Sequence, residues 1–192
     1  MAIRVLVLPG SLSSGSLNTR LAAVATKTLA LRGAEVTRVS LGDYPLPFYE
    51  GDVDLRGGVP EKARALARQF RAHDAVLIVS PEDNAGIPAL LKNAIDWMGR
   101  EDVKPFRDRV FALASASSDR FGGLCGLLAL RQVLEASALG ALVIPEHFLL
   151  PEAENAFDER EELKDRTASR RLDGVLQALM QRAAALKLAR ES

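Results

Sequence analysis

The sequence predicts a doubly wound α/β fold, a parallel sheet with helices on both faces. Short apolar runs alternate five times with longer amphipathic ones, the pattern that wraps helices around a parallel sheet. The first and third runs, residues 3–8 (IRVLVL) and 74–80 (DAVLIVS), are nearly continuous in apolar residues rather than alternating, as strands buried on both faces require. The segments after runs one, three and four are rich in Ser, Gly or Asn, and they fall where such sheets place their ligands.

The elements follow in order from period and punctuation. Residues 3–8 form the first strand. Residues 16–32 bring Leu17, Leu21, Val24 and Leu31 onto a helical period, and Gly33 stands where a glycine ends a helix. Residues 34–40 (AEVTRVS) alternate as a second strand, and the proline and glycine of 43–60 predict a long irregular connection. Glu61–Ala72 reads as a helix and 74–80 as the third strand. Pro88 opens a helix with Leu91, Ala94, Ile95 and Met98 on one face, proline being well suited to a first turn. Trp97 on this helix is expected in the core or at an oligomer interface. Residues 109–116 (RVFALASA) give the fourth strand, 124–139 a helix with Leu127, Leu130 and Leu134 aligned, and 141–144 (ALVI) a short fifth strand. The last helix keeps Leu172, Val175, Leu176, Leu179, Ala183 and Leu186 in period. No repeat or low-complexity linker intervenes, so residues 1–192 read as one domain.

Composition narrows the function. Of 192 residues, 48% are apolar and 26% charged, enough apolar material for a sizeable core. The 25 Lys and Arg balance 25 Asp and Glu, so no net field draws the chain toward nucleic acid or anionic lipid. The apolar runs fall short of a membrane span, and the N-terminus lacks a signal-peptide pattern. One cysteine, Cys125, excludes an internal disulfide framework, and no Cys/His cluster has zinc spacing. A cytoplasmic protein without a bound metal is expected.

Chemistry is expected in three loops at one sheet edge. In the first, residues 9–19 (PGSLSSGSLNT), Ser11, Ser13, Ser14, Ser16, Asn18 and Thr19 offer short polar groups beside a helix start. Unpaired N–H groups and the helix dipole there favour an anion such as a phosphate. No lysine completes a triphosphate-binding motif, and the dinucleotide fingerprint G-x-G-x-x-G is absent. Capping of the helix is the competing role for these residues. In the second loop Pro81 stiffens the turn while Asn84 and Gly86 permit unusual backbone angles. Pro81–Ile87 fits the lining of a planar heterocycle and fits equally a plain strand-to-helix turn. The third loop, residues 115–123 (SASSDRFGG), is again donor-rich.

These residues resemble the NADPH-dependent FMN reductase family, flavodoxin-like flavoproteins that include quinone, chromate and azo reductases. "GSLSSGSLNTRLA" is similar to the family's phosphate loop, "SPEDNAGIPALLKNAIDWMGR" to its most specific stretch, and "FGGLCGLLALRQVL" with "LGALVIPE" to its closing segment. The resemblance implies a flavodoxin-like doubly wound five-stranded parallel sheet in the order 2-1-3-4-5. It also implies FMN and NAD(P)H as cofactors, a small-molecule electron acceptor, and a homodimer or homotetramer with helix faces near Trp97 at the interface. Carried over by position, Ser11, Ser16, Leu17, Asn18 and Thr19 hold the FMN phosphate. Pro81, Glu82, Asp83, Asn84 and Ile87 border the ring, and Ser115, Ser117 and Gly122 approach the ribityl chain and ring edge. No catalytic acid or base is implied.

Two positions depart from the family pattern. Asp83 stands where the family usually has tyrosine, and Ser117-Ser118-Asp119 where it often has Ser-Pro-Gly. A carboxylate at Asp83 supplies no aromatic face and repels negative charge, so weaker FMN affinity or a lower redox potential is expected. Two other function classes compete: a flavodoxin-like binding or scaffold protein that has lost tight flavin binding, and a hydrolase using Glu82 or Asp83. The hydrolase lacks a visible nucleophile–base pair. His73 is expected to cap a helix end and His147 to reach an interface. Cys125, at a helix head, is expected to be a small buried hydrophobe, with a stabilised thiolate as the alternative. Residues 152–171 are expected to be a solvated charged face, or else an inter-subunit contact.

Overall fold

A computed structural model describes residues 2–13, 15–52 and 57–191. Five strands form the sheet: β1 (Arg4–Pro9), β2 (Glu35–Arg38), β3 (Ala75–Val79), β4 (Val110–Ala116) and β5 (Leu142–Leu150). All neighbours pair in parallel, in the order β2-β1-β3-β4-β5. Between and after them run α1 (Leu17–Leu31), α2 (Glu61–Ala72), α3 (Ala89–Gly99), α4 (Leu124–Glu135) and α5 (Arg166–Glu191). The doubly wound order 2-1-3-4-5 places the reversal in strand order between β1 and β3.

The apolar strands serve two cores at once, because successive side chains point to opposite faces. Val5 and Val7 of β1 join a cluster with Leu21, Ala25 and Leu29 of α1 and Leu172, Leu176 and Leu179 of α5. Leu6 and Leu8 face the other way, toward α2, α3 and α4 through Phe70, Leu91 and Leu130. Gly33 ends α1 as expected, at φ +82. Its N–H donates to Ala30 and that of Ala34 to Leu29, the paired bonds of a Schellman motif.

Several elements differ from expectation. β5 extends to Leu150 rather than ending at Ile144. Its register against β4 slips between the Phe111↔Val143 and Leu113↔His147 pairs, so extra residues of β5, Pro145 among them, bulge out of the ladder. A bulge is where a proline without an N–H is tolerated, and the strand resumes beyond it. The helix expected over 124–139 stops at Glu135. A single helical turn at Leu41–Asp43 leads into the 43–60 connection, which carries helical backbone at Gly51, Asp52 and Gly57, and its residues 53–56 lie outside the described residues. This connection is strapped to α3: Trp97 Nε1 and Asn93 Nδ2 both donate to the Pro47 carbonyl, at 2.8 and 2.9 Å. Trp97 is fully buried in this chain, with the Tyr49 ring edge-on at 5.1 Å.

Residues 152–171 are more than a solvated face. Phe157, Leu163 and Ala168 are buried, and the acids of this segment reach back to α1. Glu161 accepts from Arg20 at 2.6 and 3.1 Å, and Glu162 pairs with Lys27. His73 closes α2 with its Nδ1 donating to the Gln69 carbonyl at 2.6 Å, as expected of a cap. His147 is exposed on β5. Among the described residues no helix is long and apolar enough to cross a membrane.

Candidate functional site

The three loops are stitched together at the carboxyl edge of β1, β3 and β4. In the first loop, Gly10 N–H donates to the Val79 carbonyl at 2.8 Å, tying the end of β1 to that of β3. Ser11 Oγ accepts from Ser13 N–H at 3.2 Å, while Ser14 lies outside the described residues. Ser16 occupies the N-cap position of α1, yet its hydroxyl makes no capping bond, and no acid stands in the first turn. Among the described residues, then, neither the N-cap side chain nor a first-turn acid caps α1, and Leu17 and Thr19 sit half-buried beside it. Arg20 does not supply a cation to the loop: it is held by Glu161 and stacks over Phe157 at 4.4 Å.

Asn18 has a different side-chain role from the free donor expected. It is buried, with Nδ2 donating to the Ala116 carbonyl at 2.8 Å and Oδ1 accepting from Ala116 N–H at 2.9 Å. The oxygen and one N–H of the amide are engaged at the end of β4. The backbone N–H of Asn18 lies at the head of α1.

The second loop is a tight hairpin turn. Asn84 and Ala85 have φ of 51 and 60, and Asp83 and Gly86 exchange both N–H···O bonds at 3.1 and 3.0 Å, the arrangement of a type I′ turn. Asn tolerates this left-handed region; Ala does so at a cost. Asp83 is exposed, and among the described residues its carboxylate has no partner. Ile87 packs against the core beneath α3, and Pro88 sits at the N-cap rather than inside the helix. Glu82 is engaged: its carboxylate accepts from Gly126 N–H at 2.8 Å, in the first turn of α4, where a negative charge is favoured by the helix dipole. One oxygen of its carboxylate is thus held at a helix start.

The third loop is anchored by its backbone. Ser117 N–H donates to Leu150, Ala153 N–H to Ser117, and Glu152 N–H to Asp119. Asp119 then accepts from the N–H groups of Phe121 and Gly122 at 2.6 and 3.0 Å, and from the Ser117 hydroxyl. The Ser117 hydroxyl, with those amides, holds the Asp119 carboxyl below the usual carboxylate range despite its exposure. Ser115 is fully buried, and among the described residues its hydroxyl has no hydrogen-bond partner. Gly123 lies directly over it at φ +82, so close that a Cβ would fall 2.1 Å from Ser115 Oγ. A Cβ on Gly126 would likewise meet Glu82 and the Gly86 carbonyl at 3.0 Å, so α4 begins in contact with the second loop.

Gly123 and Gly126 were not among the expected site residues, although their spacing in "GGLCG" marks a helix head that must lie against other backbone. Phe121 is also new, 60% exposed at the lip with Arg120 over its ring at 4.8 Å. Cys125 is exposed rather than buried, because it falls on the outward face of the first turn of α4. An open groove of about 410 Å³ lies elsewhere, between α1 and residues 160–163, lined by Val24, Leu31, Leu163 and Leu172 among others. No glycine-rich turn or stranded hydroxyl faces it, so the loop edge is the better candidate.

Comparison with known proteins identifies the family. The family model described as NADPH-dependent FMN reductase matches residues 3–155. An NAD(P)H-dependent FMN reductase of Pseudomonas aeruginosa is 37% identical over 178 residues, covering 92% of this chain and 93% of its own. An NAD(P)H:quinone oxidoreductase of Solanum tuberosum is 35% identical over 189 residues, covering 97% and 94%. The structure of FerB, a flavoenzyme NAD(P)H:(acceptor) oxidoreductase from Paracoccus denitrificans, superposes with a TM-score of 0.80 at 26% identity, covering 96% of this chain and 98% of its own. With the motifs, the strand order and the family model all coinciding, the chain belongs to the NADPH-dependent FMN reductase family.

Proposed function

We propose that the protein binds FMN across the three loops and passes electrons from NAD(P)H to a quinone or a similar small-molecule acceptor. One observation carries the reading: an uncapped, uncharged helix start, a rigid left-handed turn and a stranded buried hydroxyl meet at one sheet edge. This donor set fits the group. Ser11, Ser16, Leu17, Asn18 (through its backbone) and Thr19 would hold the phosphate. Pro81, Glu82, Asp83, Asn84 and Ile87 would border the ring, and Ser115, Ser117 and Gly122 the ribityl chain and ring edge. Bound FMN supplies hydride acceptance and electron transfer to the acceptor. The chain's own part is positioning. The 83–86 hairpin fixes a backbone wall, Glu82 locks that wall to α4, and the uncapped amides of α1 orient an anion.

The purified protein decides the matter. Yellow absorption, present or restored by added FMN and bleached by NAD(P)H, is expected. A colourless protein that takes up no FMN identifies the alternative, a binding or scaffold protein of the same fold. One domain over residues 1–192, a homodimer or homotetramer, the cytoplasm, and no nucleic-acid partner belong to the same reading. A monomer mass for that sample in light scattering overturns the oligomer. Asp83, exposed and without a carboxylate partner among the described residues, sets part of the affinity. Asp83→Tyr is expected to tighten FMN roughly threefold to tenfold by adding an aromatic face and removing a charge. Unchanged affinity together with an unchanged midpoint potential rejects that role.

A further inference from the structure

The Asp119 carboxylate fills hydrogen-bond donors of its own loop. One carboxylate oxygen takes the N–H groups of both Phe121 and Gly122, and the other takes the Ser117 hydroxyl. At the end of β4, just before this loop, the Ser115 hydroxyl is wholly buried beneath Gly123 and has no hydrogen-bond partner among the described residues. Buried polar groups without partners are costly and rare, and each calls for an explanation. Here one donor is stranded while two adjacent amides are filled by a carboxylate from their own loop. That distribution suits a loop whose hydrogen-bonding groups are shared with something outside it.

We propose that Asp119 is an internal stand-in for the hydrogen-bond acceptors of the flavin, holding loop amides that bound FMN must take over and so keeping FMN affinity low. The inference rests on the flavin reading above and adds a residue-specific brake to it. The brake is separable from the loop's integrity, because the backbone bonds through Leu150, Glu152 and Ala153 hold the loop without the carboxylate. The charge acts in the same direction, since a carboxylate near the ring disfavours the electron-rich reduced flavin. A purely organising role makes the opposite prediction. An aspartate that bonds the amides two and three residues on stabilises a turn, and removing it then loosens the loop and weakens binding.

The test is titration of the FMN-free protein with FMN, followed by flavin fluorescence, for wild type, Asp119→Ala and Asp119→Asn. Asp119→Ala is expected to lower Kd about tenfold, the equivalent of one net hydrogen bond to a charged group. Asp119→Asn, which keeps an acceptor on the same amides but loses the charge, is expected to lower it less. The midpoint potential of bound FMN is expected to rise in both. Should the alanine variant fail to fold, the asparagine variant decides by the same signs. An unchanged or higher Kd in the folded variants overturns the inference and leaves the flavin reading standing. No FMN uptake by the wild type or either variant overturns the flavin reading and this inference with it.

Discussion

Asn18→Ala is expected to lower the unfolding free energy of the FMN-free protein by about 2–4 kcal/mol, because two buried backbone groups each lose a partner worth about 1–3 kcal/mol before relaxation. The reason lies in how the sheet ends. β3 stops at Val79, opposite Ala114, so the Ala116 peptide has no strand beside it on that side. Asn18 reaches down from α1 and supplies both missing bonds, at 2.8 and 2.9 Å. The measurement is urea unfolding of the FMN-free protein, with the m-value checked for constancy. Asn18→Asp is the sharper control. It keeps an acceptor for Ala116 N–H but turns a carboxylate oxygen toward the Ala116 carbonyl, so it is expected to lose as much. A residue acting on phosphate alone would behave otherwise: both variants would weaken FMN binding and leave unfolding within about 0.5 kcal/mol of wild type. With Ala116 released, Ser115 and Ser117 on either side lose their placement, so FMN affinity is expected to fall as well.

The contrast between Asn18 and its neighbours shows what a sequence carries and what it leaves to the fold. Strand and helix identity came from period, which is a property of each segment alone. So did the uncharged helix start after β1, because the absence of Lys and Arg from 9–19 is visible directly. The partners of polar side chains are a different matter. Asn18 meets Ala116 across 98 residues and Glu82 meets Gly126 across 44, and no local pattern encodes either pair. Asp119 bonds within its own loop, where spacing could have revealed it, but its role depends on the stranded Ser115 beneath. The β5 boundary was missed because Pro145 reads as a strand end, and only the slipped register against β4 lets the strand resume. Cys125 is exposed because its position on the helix face, not its residue type, decides its burial.

Gly123→Ala is the change expected to damage the site most directly. A left-handed conformation costs an L-residue about 1–2 kcal/mol and overpacking about 1–3 kcal/mol more, so a loss of about 2–5 kcal/mol is expected. Both costs follow from the local geometry: φ is +82, and the added carbon would fall 2.1 Å from Ser115 Oγ and 3.0 Å from Ser115 Cβ. Rotating the serine hydroxyl away relieves the first contact and not the second. Gly123 is also the N-cap of α4, so the strain reaches the Glu82–Gly126 bond and the ring loop behind it. FMN binding is therefore expected to fail together with stability. Ser115→Ala alone is expected to be neutral or slightly stabilising, since it removes a buried hydroxyl with no partner. Ser115→Gly in the Gly123→Ala background removes both clashing atoms and is expected to restore about 1–3 kcal/mol, leaving the conformational cost in place. The double-mutant cycle, read by urea unfolding of the FMN-free proteins, isolates the contact between the loop and the strand. A coupling energy near zero would mean that the loop lifts away from Ser115 without resistance. That outcome conflicts with a loop already tied at Leu150, Glu152 and Ala153, and would place the stranded hydroxyl in reach of solvent rather than of a ligand.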